Sequence, residues 1–247
     1  MHPADIRVTI SCLPRGAVPL HTDAAGTAPP DAFGPFRVLH QIGAGTLGPV
    51  FRAYDAQQDR LVTVKQFKLD LLPERLHQLV AEFESLIAAE LSHPFIAAPI
   101  ATGTDGITVY LARDFVAADS LDVAVRDRRL ARPSEIIRVA EHVAWALDSA
   151  AAVNVLHGAL HPRDVLISSD EIRLTDLGIA RALETVDATP PLRRPYAAPE
   201  RIAGSWDRRS DTFSLAALVY ELVAGRRLSA IGEEAAQLLP PVEDADD

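Results

Sequence analysis

The residue pattern predicts an α+β fold, and two observations carry that expectation. Residues 50–54 and 61–67 are β-rich runs joined by a polar stretch over 55–60, the pattern of a strand hairpin. Pro73, a favoured first helical residue, then precedes Leu76, Leu79, Val80, Phe83 and Leu86 at helical spacing. A further apolar run over 107–113 reads as another strand.

Composition bounds the rest. With 48% hydrophobic and 23% charged residues, the 247-residue chain can bury a core and is not disordered throughout. Its most apolar stretch, 213–224, contains Glu221 and is short of the roughly 20 residues a bilayer span needs. The first twenty residues lack a charged start followed by an apolar block, so no secretory signal is read there and a cytoplasmic location is expected. Cys12 stands alone, which excludes an internal disulfide framework and a multi-cysteine metal site. A net charge of −10 argues against nucleic acid as a general partner.

The chain divides into four segments. Residues 1–32, with Pro14, Pro19, Pro29 and Pro30, read as a leader or linker, within which Ile6, Val8 and Ile10 alternate like a short accessory strand. Globular patterning covers 33–116 and 117–230. The segment 231–247 carries Glu233, Glu234, Glu243, Asp244, Asp246 and Asp247 with no basic residue, and reads as an acidic tail or linker.

Gly43, Gly45 and Gly48 form a G-x-G-x-x-G run between two strands. In a dinucleotide-binding fold such a run must join a strand to a helix, so this one is either a plain glycine turn or a loop whose backbone amides approach a polyphosphate. Lys65 shares a strand face with Leu61 and Thr63, and Glu84 lies on the helix that follows.

Further motifs follow in order: Leu156-His157-Gly158-Ala159-Leu160-His161-Pro162-Arg163-Asp164-Val165-Leu166-Ile167, Thr175-Asp176-Leu177-Gly178, Ala198-Pro199-Glu200 and Ser210-Asp211-Thr212-Phe213. Together with the glycine loop, Lys65 and Glu84, these resemble the motif series of the protein kinase superfamily, nearest its bacterial Ser/Thr members. The resemblance runs from about residue 35 to 228. It implies a two-lobed α+β fold: a small β-rich N-lobe of five strands and one helix, and a mainly helical C-lobe that is truncated. It also implies a nucleotide site at Gly43, Gly45, Gly48, Val50, Thr63, Lys65, Glu84, Arg113 and Leu166, with ATP as ligand and Mg or Mn held by Asp176 and Asp164.

Against that pattern, four positions of one short loop depart. Ala159 stands at the catalytic aspartate, Gly158 at the arginine before it, His161 at the loop lysine and Asp164 at the metal-binding asparagine. Ala159 has no polar side-chain atom to orient a hydroxyl. Asp164 can still ligate a hard cation, and His161 can donate to phosphate only when protonated. In the expected nucleotide pocket, Thr63 replaces a small residue above the base and Arg113 takes the position at the back. A buried guanidinium needs a partner, so Arg113 pairs with Glu84 or Asp176 unless its stem carries the charge out to water. Arg193 replaces the activation-segment threonine that contacts the catalytic loop, and Thr185 and Thr189 are either phosphosites or ordinary loop residues.

The resemblance therefore implies a pseudokinase, a regulatory or scaffolding module that keeps the fold without phosphotransfer. Two other readings stay open: an active Ser/Thr protein kinase with unusual catalytic residues, and a structural spacer. Kinase C-lobes continue well beyond the helix expected from Ser210, so a protein partner or a further C-terminal segment is expected to cover this one.

Overall fold

A computed structural model describes residues 30–127, 132–188 and 192–228. The accessory strand around Ile6, most of the expected leader, Thr189 and the acidic tail lie outside the described residues.

Strand alternation builds the first lobe. Its strands are β1 (Ala32–Phe33), β2 (Phe36–Gly45), β3 (Gly48–Asp55), β4 (Arg60–Phe67), β5 (Pro99–Asp105) and β6 (Thr108–Asp114), in the sheet order β1-β2-β3-β4-β6-β5. All pairs are antiparallel. The sheet has six strands rather than five because Phe33 folds back onto Phe36. In β3 every second residue is buried, so Phe51 and Ala53 meet Val62, Val64, Tyr110 and Ala112 beneath the sheet, with Phe33 and Phe51 rings 5.4 Å apart.

Helix α1 (Pro73–Ala88) starts at its proline and buries Leu76, Leu79, Phe83 and Leu86, the stripe that helical spacing requires. It does not pack on the sheet alone. One apolar cluster joins Leu47 at the tip of the β2–β3 hairpin, Phe67, Leu76, Leu79 and Phe83 with Ile179, Ala182 and Leu183 from beyond the cleft.

The second lobe holds α2 (Leu121–Arg126), α3 (Pro133–Ala152), a 3-10 turn (Pro162–Asp164), α4 (Ile179–Thr185), α5 (Pro199–Ile202) and α6 (Arg208–Ala224). A small sheet, β7 (Asp119–Ser120), β8 (Val165–Ile167) and β9 (Ile172–Leu174), lies beside the cleft. Val139, Val143, Ala146 and Ala150 line one side of α3 and share a core with Leu160, Leu174 and Ala217. The N-cap Asp207 accepts from Arg209 N–H at 2.7 Å at the start of α6, and Gly225 closes it in the left-handed region. Backbone bonds from Leu174 N–H to Phe95 O (2.8 Å) and from Ala97 N–H to Leu174 O (2.9 Å) tie the two lobes. No helix among the described residues is long and apolar enough to cross a membrane.

Candidate functional site

The two lobes enclose a cleft of about 750 Å³. Gly43 and Gly45 on β2 and Val50 on β3 form its roof, and Leu166 on β8 its floor. Thr63 and Lys65 point into it from one side of β4, and Arg113 on β6 stands opposite Thr63 across the strand pair. Asp164, Asp176 and His161 enter from the second lobe.

Two expected site residues are not brought to this cleft. Gly48 has φ +141°, and a Cβ there would lie 2.2 Å from the backbone oxygen of Gln66. Glycine is required because the loop lies directly against β4, where Lys68 N–H donates to Leu47 O at 2.9 Å. Glu84 is exposed on α1, and no ion pair reaches it among the described residues. The physical reason is α4: its Ile179, Ala182 and Leu183 pack against the apolar side of α1, and Glu84 is left on the water side.

Lys65 therefore meets Asp176 instead of Glu84, in a direct charged hydrogen bond between two mostly buried side chains. Arg113 reaches the other oxygen of Asp176 at 4.0 Å, and its Nη1 has no hydrogen-bond partner. Burial works to raise the Asp176 pKa, but Lys65 and Arg113 overcome it and hold the carboxyl well below the usual range. For Arg113, burial lowers the pKa against the pull of Asp176 and Asp164.

Asp164 carries the second locked pair. One guanidinium nitrogen of Arg193 lies 3.1 Å from both of its carboxylate oxygens. Burial pushes Asp164 up, with Arg193 and the nearby His157 opposing. His161 is depressed to about 4 by burial and by Arg193 and Arg163, and its Nδ1 accepts from Arg163 N–H at 3.1 Å. It is uncharged near neutral pH and does not replace a lysine.

A divalent cation does not fit this arrangement. It needs several oxygen ligands, and Asp164 and Asp176, the two carboxylates expected to hold it, already face protein cations. Among the described residues no group of three or more His, Cys, Asp or Glu side chains is placed to hold a metal ion.

Ala159 lies outside the cleft, in a small separate cavity with Gly158, Leu160 and Arg201, and Arg193 lines both spaces. Behind it stands a cluster that motif reading misses. Glu184 of α4 accepts from Arg201, a buried guanidinium, and from Trp206 Nε1 at 3.0 Å. Arg201 Nε donates to Gly158 O at 2.9 Å, and both Arg201 and Arg181 lie over the Trp206 ring. Helical spacing of Ile179, Ala182 and Leu183 is the signal that would have found α4. Nothing in the sequence marks Trp206. Asp211 does what a motif residue is expected to do in space, accepting His157 N–H (2.8 Å) and Gly158 N–H (2.7 Å).

Comparison with known proteins agrees with this architecture. The protein kinase domain family model matches residues 36–239. The chain is 29% identical over 208 residues to the serine/threonine-protein kinase pkn3 of Myxococcus xanthus, covering 77% of this chain and 38% of that protein. It is 30% identical over 214 residues to the serine/threonine-protein kinase PknJ of Mycobacterium tuberculosis, covering 83% and 36%. The chain thus spans little more than a third of either relative. The crystal structure of the Mycobacterium tuberculosis PknI kinase domain superposes with a TM-score of 0.67 at 27% identity, over 87% of this chain and 83% of that one. On the matched motifs, the fold and the family model, the chain belongs to the protein kinase domain family.

Proposed function

We propose that this kinase domain is a regulatory or scaffolding module that does not transfer phosphate to protein. The observation that supports the reading is the pair Ala159 and Arg193. Protein phosphotransfer depends on an aspartate that accepts and orients the substrate hydroxyl and on metal ions that neutralise the moving phosphate. Ala159 has no group for the first task, and Arg193 holds Asp164 away from the second. His161 is neutral and Glu84 faces water, so neither supplies the missing charge pattern.

The competing reading, Ser/Thr protein kinase activity, draws on the kinship to Ser/Thr kinases and on Lys65 and Asp176 being present in the cleft. A radiolabelled phosphotransfer assay with magnesium or manganese separates the two. The proposal expects no label in the chain or in generic protein substrates above the level of a Lys65→Ala variant. Label that disappears on Lys65→Ala overturns it.

A further inference from the structure

The open edge of the first-lobe sheet lies beside the point where the chain enters it. In the order β1-β2-β3-β4-β6-β5 the strand β5 ends the sheet, with β6 on one side only. Among the described residues, no backbone hydrogen bond other than those to β6 reaches residues 99–105. Helix α1 does not fill this place, because it packs on a face of the sheet, at Phe67, Val109 and Leu111. No residue of β5 is buried. Ile107, in the turn from β5 to β6, is 80% exposed, more than any other large apolar side chain among the described residues.

Tyr110 ties the chain entry to that edge. Its hydroxyl lies 2.4 Å from where a Cβ on Gly34 would stand and 2.7 Å from one on Gly103. The β1–β2 turn and the middle of β5 therefore meet at one side chain. Phe33 of β1 also shares a core with Ile100 and Ala101 of β5. The sheet curls until its two ends are neighbours, and the chain before β1 enters at the seam.

From this we infer that residues 6–10, Ile6-Arg7-Val8-Thr9-Ile10, pair as an added strand with the open edge of β5. Such an edge is a row of unpaired donors and acceptors that captures an extended segment. The occupant is this chain's own leader. Its β-branched residues alternate without a proline, while Pro14, Pro19, Pro29 and Pro30 all lie outside them. Residues 11–29 bridge the gap, and at about 3.3 Å per extended residue they reach either end of β5, itself roughly 23 Å long. A segment of the same chain is also present at a high effective concentration, which a separate partner is not. The added strand brings apolar residues to the end of the sheet where Ile107 stands uncovered. Because β5 continues from Phe95 and Ala97, which bond to Leu174, a strand on its edge braces the junction of the lobes from outside the cleft. The inference is independent of whether the domain transfers phosphate.

The test is amide hydrogen exchange on the full chain, read residue by residue by NMR. Residues 6–10, and those amides of 100–105 that do not bond to β6, are expected to be protected. The double variant Val8→Pro, Thr9→Pro removes a donor from each side of the added strand. Exchange in both segments should then quicken at least about tenfold while β3 and β4 stay unchanged. Val8→Thr keeps the donor and the branched side chain and should retain the protection of the parent. If the proline variant fails to fold, Ile6→Ser with Ile10→Ser is the second arm, with acceleration of the same two segments expected. Rapid exchange of those β5 amides in the parent overturns the inference, as does protection that the variants leave intact. Loss of protection along the outer edge of β2 instead of β5 overturns it too, by placing the segment at the other end of the sheet. Protection that grows with protein concentration, with elution as a dimer, overturns the choice of occupant and assigns the edge to a second copy.

Discussion

The indole of Trp206 stands where a side chain on residue 158 would have to go. A Cβ added to Gly158 would lie 2.4 Å from two Trp206 ring carbons, and Gly158 itself sits at φ +68°. The arginine that the family places here is thus excluded by both backbone and neighbour. Gly158→Arg should destabilise the fold by about 2–4 kcal/mol, from left-handed strain together with overpacking. Urea unfolding checks this. A cycle with Trp206→Ala should recover part of the loss, and a midpoint unchanged by the single substitution would refute the packing argument.

Asp176 is the shared counter-charge of Lys65 and Arg113, so substitutions on the two sides of the pair differ in cost. Lys65→Met leaves Asp176 with Arg113 beside it and should cost about 1–2 kcal/mol. Asp176→Asn leaves two mostly buried cations facing each other and should cost about 3–5 kcal/mol. Adding Arg113→Met to Asp176→Asn should restore stability in part. Equal losses for Lys65→Met and Asp176→Asn in thermal denaturation would show that Arg113 does not serve as the second partner.

Much of this was readable from residues alone, and the residues that were not share one physical cause. The hairpin, the proline-started α1 and the order of motifs rest on local rules, period two, period 3.6 and turn chemistry, and each formed where those rules put it. Arg113 was expected to find Glu84 or Asp176, and geometry places it at Asp176. Glu84 is read from sequence into the nucleotide site with Lys65, yet it faces water, because its distance from Lys65 depends on how α4 packs against α1 across the cleft. Gly48 has the spacing of a phosphate-loop glycine, yet its neighbour is the Gln66 backbone, a contact set by the register of β3 and β4. Trp206 likewise acts through Glu184 and Arg201, neither of which is adjacent to it in the motif series.

His161 gives a pH signature. Its folded pKa of about 4 lies below its ordinary value of 6.5, so the unfolded chain binds its proton more readily than the folded one. The stabilisation this residue contributes is complete above about 6.5 and is lost as pH falls from there towards 4. His161→Gln should flatten the decline in melting temperature between pH 7 and 5 relative to the parent chain. A slope unaltered by the substitution would mean that the ring binds its proton in the fold as readily as in the unfolded chain.

Tyr196 donates its hydroxyl to Glu221, a buried carboxylate that Arg227 Nε also approaches at 3.1 Å. Burial and the carboxylate push the phenol pKa well above its usual value. Tyr196→Phe removes the donor without changing the ring volume and should cost about 1–2 kcal/mol. Its effect should shrink when Glu221 is replaced by Gln, which brings its own amide donors. A loss of the same size in both backgrounds would place the cost elsewhere.

Leu47, only 8% exposed, buries the tip of the glycine loop in the cluster that also holds α1 and α4. Three segments that are far apart in the chain therefore lose their solvent protection together. Opening any one of them strips apolar neighbours from the other two, so they form a single cooperative unit of local unfolding. Amide protons around Leu47, along α1 and along α4 should exchange with deuterium at one common free energy, and Leu47→Ala should lower all three by the same amount. A ligand or partner that pries α4 loose would then slacken the roof of the cleft without touching it.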